Sequence, residues 1–173
     1  MPRRHPIRWL MTDERQGDDL WRALERLPRG GGVIFRHYRT PAAERKALFA
    51  RVRRVTRRRG LVLVRAGIYP LRGADGVHGC RDSRIITWPA HDRREAIAGI
   101  RAGAQILLVS PVFATRSHPG ARALGPGRAA AIARGLPATV IALGGMDARR
   151  WRRIARHGFD GYAAIDGWSD GRG

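Results

Sequence analysis

Eight short apolar runs recur along the chain, and polar stretches of helical period lie between many of them. The runs are IRWLMT (7–12), GVIFRHY (32–38), GLVLVRAG (60–67), DGVHG (75–79), RIITWPA (84–90), AQILLVSPVF (104–113), ATVIALGG (138–145) and DGYAAIDGW (160–168). Several are continuous and β-branched, the pattern of parallel strands buried on both faces. Between runs two and three, Thr40 is placed to cap a helix, Pro41 to open it, and Leu48, Val52 and Val55 to form its apolar face. Asp92 and Glu95 have capping-box spacing ahead of Ala96, Ile97 and Ile100. Asp147 caps a segment whose buried side is Trp151, Ile154 and Ala155 and whose stop is Gly158. A further helix is predicted near 17–27.

Strand and helix in alternation predict a parallel α/β sheet, and eight units predict a closed (β/α)8 TIM barrel. The barrel is minimal, because such folds typically take about 250 residues and this chain has 173. The fourth and fifth runs stand too close for a fourth helix, and too little chain follows Trp168 for an eighth. Strands left uncovered expose apolar surface, which predicts a homo-oligomer masking the region of strands four and eight. A single domain over 1–173 is expected, with no linker or repeat to divide it.

Composition narrows the class. No apolar run approaches a membrane span, and the N-terminal apolar stretch is too short for a signal peptide. One cysteine, Cys80, gives neither an internal disulfide nor a metal cluster, and a cytoplasmic protein is expected. The formal charge of +20 raises nucleic acid as a partner. However, 33 of the 34 basic residues are arginine and they are dispersed along the chain, the signature of a GC-rich coding sequence. The dense cluster at 51–60 ends a helix, where cations complement the dipole. Nucleic-acid binding is therefore the weaker reading.

Barrel chemistry gathers at the C-terminal ends of the strands. Strand seven ends in Gly144 and Gly145, and Asp147 opens the next helix, so backbone N–H groups and a helix end could receive a phosphate. A tight turn needing glycine only for its backbone is the alternative. Strand six is followed by Thr115, Ser117 and His118, able to grip a phosphorylated ligand or merely to cap a loop. Arg36 and Arg65 end strands two and three, and arginine binds phosphate bidentately. His78 and His91 follow strands four and five. Asp75 and Asp160 look like turns into strands at the opposite end.

These pieces stand in a familiar order. MTDER, GVIFRHY, GADGVHG, SPVFATRSHPGARALG, IALGGMD and HGFDGYAAIDGW resemble thiamine phosphate synthase and the related thiazole tautomerase branch, most specifically from His91 to Gly145. The resemblance implies a (β/α)8 barrel that couples hydroxymethylpyrimidine diphosphate to thiazole phosphate, with loss of pyrophosphate and help from magnesium. It gives Arg36 to the diphosphate and Gly144 and Gly145 to the thiazole phosphate. Thr115 and Ser117 match the family's hydroxyl pair, and His91 its histidine after strand five. Asp166 and Gly167 fall in the phosphate-holding segment after strand eight.

The chain also departs from the family. Ile34 and Tyr38 replace a glutamine and a lysine around Arg36. Val64-Arg65-Ala66 replaces an Asn-Asp pair, Pro89 a serine and His118 a lysine, and only Asp82 could stand in for a lost magnesium aspartate. Ser110 stands where the tautomerase branch has its histidine. Losing the metal ligands points to Arg36, Arg65, Arg81 and Arg116 as electrostatic substitutes, with Arg65 and His118 joining Arg36 and His91 as candidate catalytic groups. The alternative is a barrel that binds a phosphorylated metabolite without coupling.

Overall fold

Each apolar run forms one strand. The computed structural model describes residues 5–81, 83–115, 120 and 122–168. Its strands are β1 (Arg8–Met11), β2 (Gly32–Phe35), β3 (Val62–Ala66), β4 (Gly76–His78), β5 (Ile86–Ala90), β6 (Ile106–Val109), β7 (Thr139–Ala142) and β8 (Gly161–Ala164). Every strand pairs in parallel with its sequence neighbours, and β8 returns to β1 to close the expected barrel.

Alternate residues along the strands divide two cores. Trp9, Met11, Ile34, Val64, Ala66, Ile106, Leu108, Ile141 and Ala163 fill the barrel. Their neighbours Leu10, Val33, Leu63, Leu107 and Val140 belong to the outer cluster beneath the helices. Trp9 is the largest inward side chain and is fully buried, its indole Nε1 donating to the Pro6 carbonyl at 2.7 Å. Gly32, its register partner on β2, supplies the room: a Cβ there would lie 2.3 Å from the indole ring.

The helices are α1 (Asp19–Arg26), α2 (Ala42–Arg59), α3 (Arg93–Arg101), α4 (Pro126–Ala133) and α5 (Ala148–Ile154). Among the described residues none follows β4 or β8, as expected, and none follows β3 either, where Gly67, Pro70 and Gly73 interrupt a short segment. The sequence reading did not single out α4, because its buried Ala129, Ala130, Ile132 and Ala133 give little apolar contrast between faces. Asp92 and Asp147 cap α3 and α5 as expected, accepting from the N–H groups of Glu95 and Arg150. Thr40 does not cap α2. Pro41 occupies that position without a side-chain bond; of the expected apolar face Val52 is buried and Leu48 and Val55 pack half-buried against the core, and Arg45, Phe49 and Thr56 are buried with them. Ala155 lies beyond the end of α5 and is exposed.

The end of the barrel away from the mouth is held by three matching clips. Asp75 accepts from the Leu63 N–H (2.8 Å) while its own N–H donates to the Leu63 carbonyl (2.7 Å). Asp160 does the same to Val140 and Gln105 to Ile86, so the entry to each of β4, β6 and β8 pins the strand before it. The turn role expected of Asp75 and Asp160 is observed.

Among the described residues, the apolar walls expected to lie bare at strands four and eight are covered. Val77 on β4 is buried in a cluster with Leu71, and Ala74 and Cys80 pack against it. On β8, Tyr162 is covered by Trp168, stacked at 5.2 Å, and by Trp151 at 5.7 Å. The eighth run therefore ends as a strand at Ala164. Its tail turns back so that Trp168 shields the wall and donates from Nε1 to the Trp9 carbonyl (2.9 Å). The apolar surface from which an oligomer was expected at these two strands is covered within the chain.

Candidate phosphate-binding mouth

The loops after β6 and β7 are joined. Pro111 has no N–H, so regular pairing of β6 stops before it. The chain resumes contact when Val112 donates to Leu143 (2.8 Å) and Phe113 to Gly144 (3.1 Å). Gly144 and Gly145 have φ of 95° and 59°, in the left-handed region that favours glycine. Space demands glycine as well: a Cβ on Gly144 would lie 2.7 Å from the Pro111 Cα, and one on Gly145 would lie 2.4 Å from the Ala114 carbonyl oxygen. Among the described residues, the N–H groups of these glycines donate to no partner, and both residues line the main cavity.

That cavity holds about 630 Å³ at the C-terminal ends of the strands, within the usual range for a small-molecule site. Of the residues singled out from sequence, Arg36, His91, Thr115, Gly144, Gly145, Asp166 and Gly167 all line it. Asp82, Ser117 and His118, and with them Arg116, lie outside the described residues. Arg65 does not line it. Strand alternation sets Arg65 on the opposite face from Val64, and its guanidinium donates to the Gly67 carbonyl at 2.6 Å and reaches the Tyr69 carbonyl at 3.4 Å. It is a staple of the loop after β3.

Arg36 is held from three directions. Its Nε donates to the Thr12 carbonyl (3.0 Å), its backbone N–H to Thr12 Oγ1 (3.0 Å), and its Nη2 to Asp13 Oδ2 (2.7 Å). The other Asp13 oxygen accepts from Arg15 at 2.8 Å. Burial raises the Asp13 carboxyl, but hydrogen bonds from Arg15 and the charges of Arg36 and Arg15 outweigh it and hold the group below the ordinary carboxylate range. Asp13 thus balances part of the charge of Arg36 and Arg15, and the charge of Asp166 acts on Arg15 as well. Burial likewise lowers His37, whose Nδ1 lies 2.9 Å from Thr12 Oγ1. On the rim, one oxygen of Glu95 accepts the His91 backbone N–H and lies 2.8 Å from its Nδ1, orienting the ring.

Inside the barrel, His78 on β4 faces Thr87 on β5, with Nδ1 and Oγ1 2.9 Å apart. Burial, reinforced by the charge of Arg36, pushes the His78 imidazole down to about 4. The folded state thus favours neutral His78, while the unfolded chain takes up its proton near the ordinary value of 6.5. The resulting stability is fully present above pH 6.5 and is lost as pH falls toward 4, by roughly 3 kcal/mol. Denaturant unfolding of the wild type and His78→Gln from pH 7 to 4.5 checks this. The variant is expected to show a flatter profile, and parallel profiles would refute the assignment. His37 acts in the same sense in both proteins and so cancels in the comparison.

The sequence reading did not assign Asp13, Arg149 or Arg150 to the site. Asp13 carried a signal, standing two positions beyond inward-facing Met11 at the end of β1. Arg149 and Arg150 carried little, being two among 33 arginines on a segment that reads as a solvated helix.

Magnesium needs oxygen ligands, commonly one or two carboxylates with phosphate and water. Among the described residues no three His, Cys, Asp or Glu side chains come together. Both Asp13 oxygens are taken by arginine, and Asp147 Oδ1 accepts from the Arg150 N–H. The described side chains form no three-ligand metal cluster, and the carboxylates that line the cavity are Asp147 and Asp166. Nor does any helix of the described residues have the length and apolarity to cross a membrane.

The family model for thiamine monophosphate synthase matches residues 9–167. A thiamine-phosphate synthase from Chloroflexus aurantiacus is 29% identical over 154 residues, covering 79% of this chain and 71% of the relative. One from Geobacillus thermodenitrificans is 29% identical over 176 residues, covering 89% and 78%. Among solved structures, thiamine phosphate pyrophosphorylase from Pyrococcus furiosus superposes with a TM-score of 0.79 at 22% identity, covering 95% of this chain and 88% of that one. At that identity the superposition speaks for the fold.

Proposed function

The chain belongs to the thiamine monophosphate synthase family, and on that footing we propose that it couples hydroxymethylpyrimidine diphosphate to thiazole phosphate. The observation that carries the reading is the glycine pair. Gly144 and Gly145 offer two N–H donors, without partners among the described residues, at the wall of a ligand-sized cavity. In that arrangement they receive the thiazole phosphate, and Thr115 on the joined loop supplies a hydroxyl beside it. Arg36, which lines the same cavity, receives the diphosphate.

In the coupling, the bond from the pyrimidine methylene to the diphosphate breaks and its electron pair leaves with pyrophosphate. A bond from the methylene to the thiazole nitrogen replaces it. Charge grows on the departing oxygens, so a fixed cation at that position lowers the barrier. Arg36 suits the task, because Thr12 and Asp13 fix its guanidinium before substrate arrives. Arg65, turned to its own loop, takes no part in this reading. By resemblance Ser117 and His118 complete the β6 loop, Asp166 and Gly167 flank the phosphate, and Asp82 is the one candidate to recruit magnesium.

Binding without coupling is the second reading, favoured because no three-ligand metal cluster forms among the described residues. Incubating the purified protein with both substrates, with and without magnesium, and measuring thiamine phosphate separates the two. Product formed only with magnesium supports coupling with a recruited metal. Product without metal supports coupling driven by arginine. Folded protein that binds thiazole phosphate and forms no product overturns the coupling and leaves the binding barrel.

A further inference from the structure

Two arginines outside the sequence-derived site line the cavity, and one of them, Arg150, reaches the glycine pair. Arg150 lines the cavity, and its guanidinium donates to the Gly145 carbonyl while standing 5.1 Å over the Phe113 ring. Its backbone N–H is fixed by Asp147 Oδ1 at 2.7 Å. Phe113 in turn donates its N–H to the Gly144 carbonyl (3.1 Å). One planar cation therefore spans the β6 and β7 loops, touching each beside the two N–H donors that have no partner among the described residues. A guanidinium has five N–H donors, and the Gly145 carbonyl accepts from one of its nitrogens.

Arg149, exposed on the same rim, forms no ion pair among the described residues. The carboxylate nearest in sequence, Asp147, is turned to the Arg150 N–H. Across the mouth, the charge of Asp166 acts on Arg15.

We propose that Arg149 binds the substrate phosphate directly and that Arg150 is a positioning residue clamping the two loops. The pair thereby makes this mouth select a phosphorylated thiazole over the corresponding alcohol. The inference rests on the phosphate-site reading given above. A point charge alone would attract any anion. The planar bridge adds geometry, because the glycine N–H groups hold their direction only while Gly145 and Phe113 are held together.

The test is calorimetric binding of thiazole phosphate, thiazole alcohol and inorganic phosphate, run beside the coupling assay. Wild-type protein is expected to bind the phosphate compound at least 10-fold more tightly than the alcohol, since charge-assisted contacts of this kind are worth about 1.5–3 kcal/mol. Arg149→Ala and Arg150→Ala are expected to collapse that ratio. Arg57→Ala, which removes one positive charge from the exposed side of α2, is expected to preserve it. Arg150→Lys keeps the charge but cannot span both loops, so it restores the ratio only in part. Full restoration by lysine overturns the clamp, and an unchanged ratio in Arg149→Ala overturns the binding role.

If Arg150→Ala fails to fold, Arg149→Ala and Arg150→Lys still decide the matter. Arg149-dependent phosphate preference without coupled product supports the inference and defeats the coupling reading. Coupled product with a ratio indifferent to Arg149 does the reverse.

Discussion

Gly144→Ala is expected to lower kcat/KM for the proposed coupling on the order of 10²-fold and to weaken binding of thiazole phosphate in parallel. The new methyl would lie 2.7 Å from the Pro111 Cα and 3.1 Å from the Val112 nitrogen, and both neighbours are backbone. Neither can swing aside as a side chain would, so one loop must shift. The backbone at φ 95° adds strain for any residue with a Cβ. A displacement of even about 1 Å at a site that aligns two reactants is enough for a loss of that size. The melting temperature should fall too, but the decisive quantity is binding by protein shown to be folded. Wild-type affinity for thiazole phosphate in folded Gly144→Ala would remove the glycine pair from the site.

Trp9→Ala is expected to cost about 3–5 kcal/mol of stability, as for other fully buried aromatic residues. The side chain is wholly inaccessible, fills the interior beside Gly32, and hydrogen bonds to Pro6. Its register partner on β2, Gly32, has no side chain to move into the void. The pair also predicts non-additivity. Gly32→Ala alone would drive a methyl into the indole ring and should be strongly destabilising, whereas in the Trp9→Ala background the same methyl enters the vacated space. Chemical denaturation of the four proteins measures the coupling. Additive losses, or a Trp9→Ala cost below about 1 kcal/mol, would mean that the interior is not packed around this ring.

The barrel was legible because a buried parallel strand leaves a local signature. Continuous runs such as ILLV and TVIA name themselves, and every one of the eight became a strand. Helices were legible where a capping aspartate or an apolar face announced them. They were not where alanine packs without contrast, as in α4. Glycines and the hydroxyl of Thr115 could be placed at the mouth because chemistry there follows strand ends. Arg65 was misplaced for a reason of period: one residue along a strand reverses the face, and β3 runs on to Ala66. The wall at Tyr162 was expected to lie bare, but Trp168 from the segment after β8 and Trp151 stack over it, contacts that no local pattern announces. Arg150 was hidden by abundance, since its role depends on reaching across to Phe113, a contact that no spacing encodes.

The seam between β1 and β8 sets the order of assembly. It joins Arg8, Trp9 and Leu10 to Tyr162, Ala163 and Ala164, and Trp168 is bolted to Trp9 across the same join. These are among the most distant pairings along the chain, so the entropy of bringing them together must be met before the cylinder exists. Neighbouring strand pairs can form early and locally, while the seam comes last and raises the contact order of the whole fold, which slows it. On the ribosome, a nascent chain shorter than about residue 164 has both edges of an unfinished sheet exposed. Those edges can pair with another chain, so the interval before closure is when this protein is most open to aggregation.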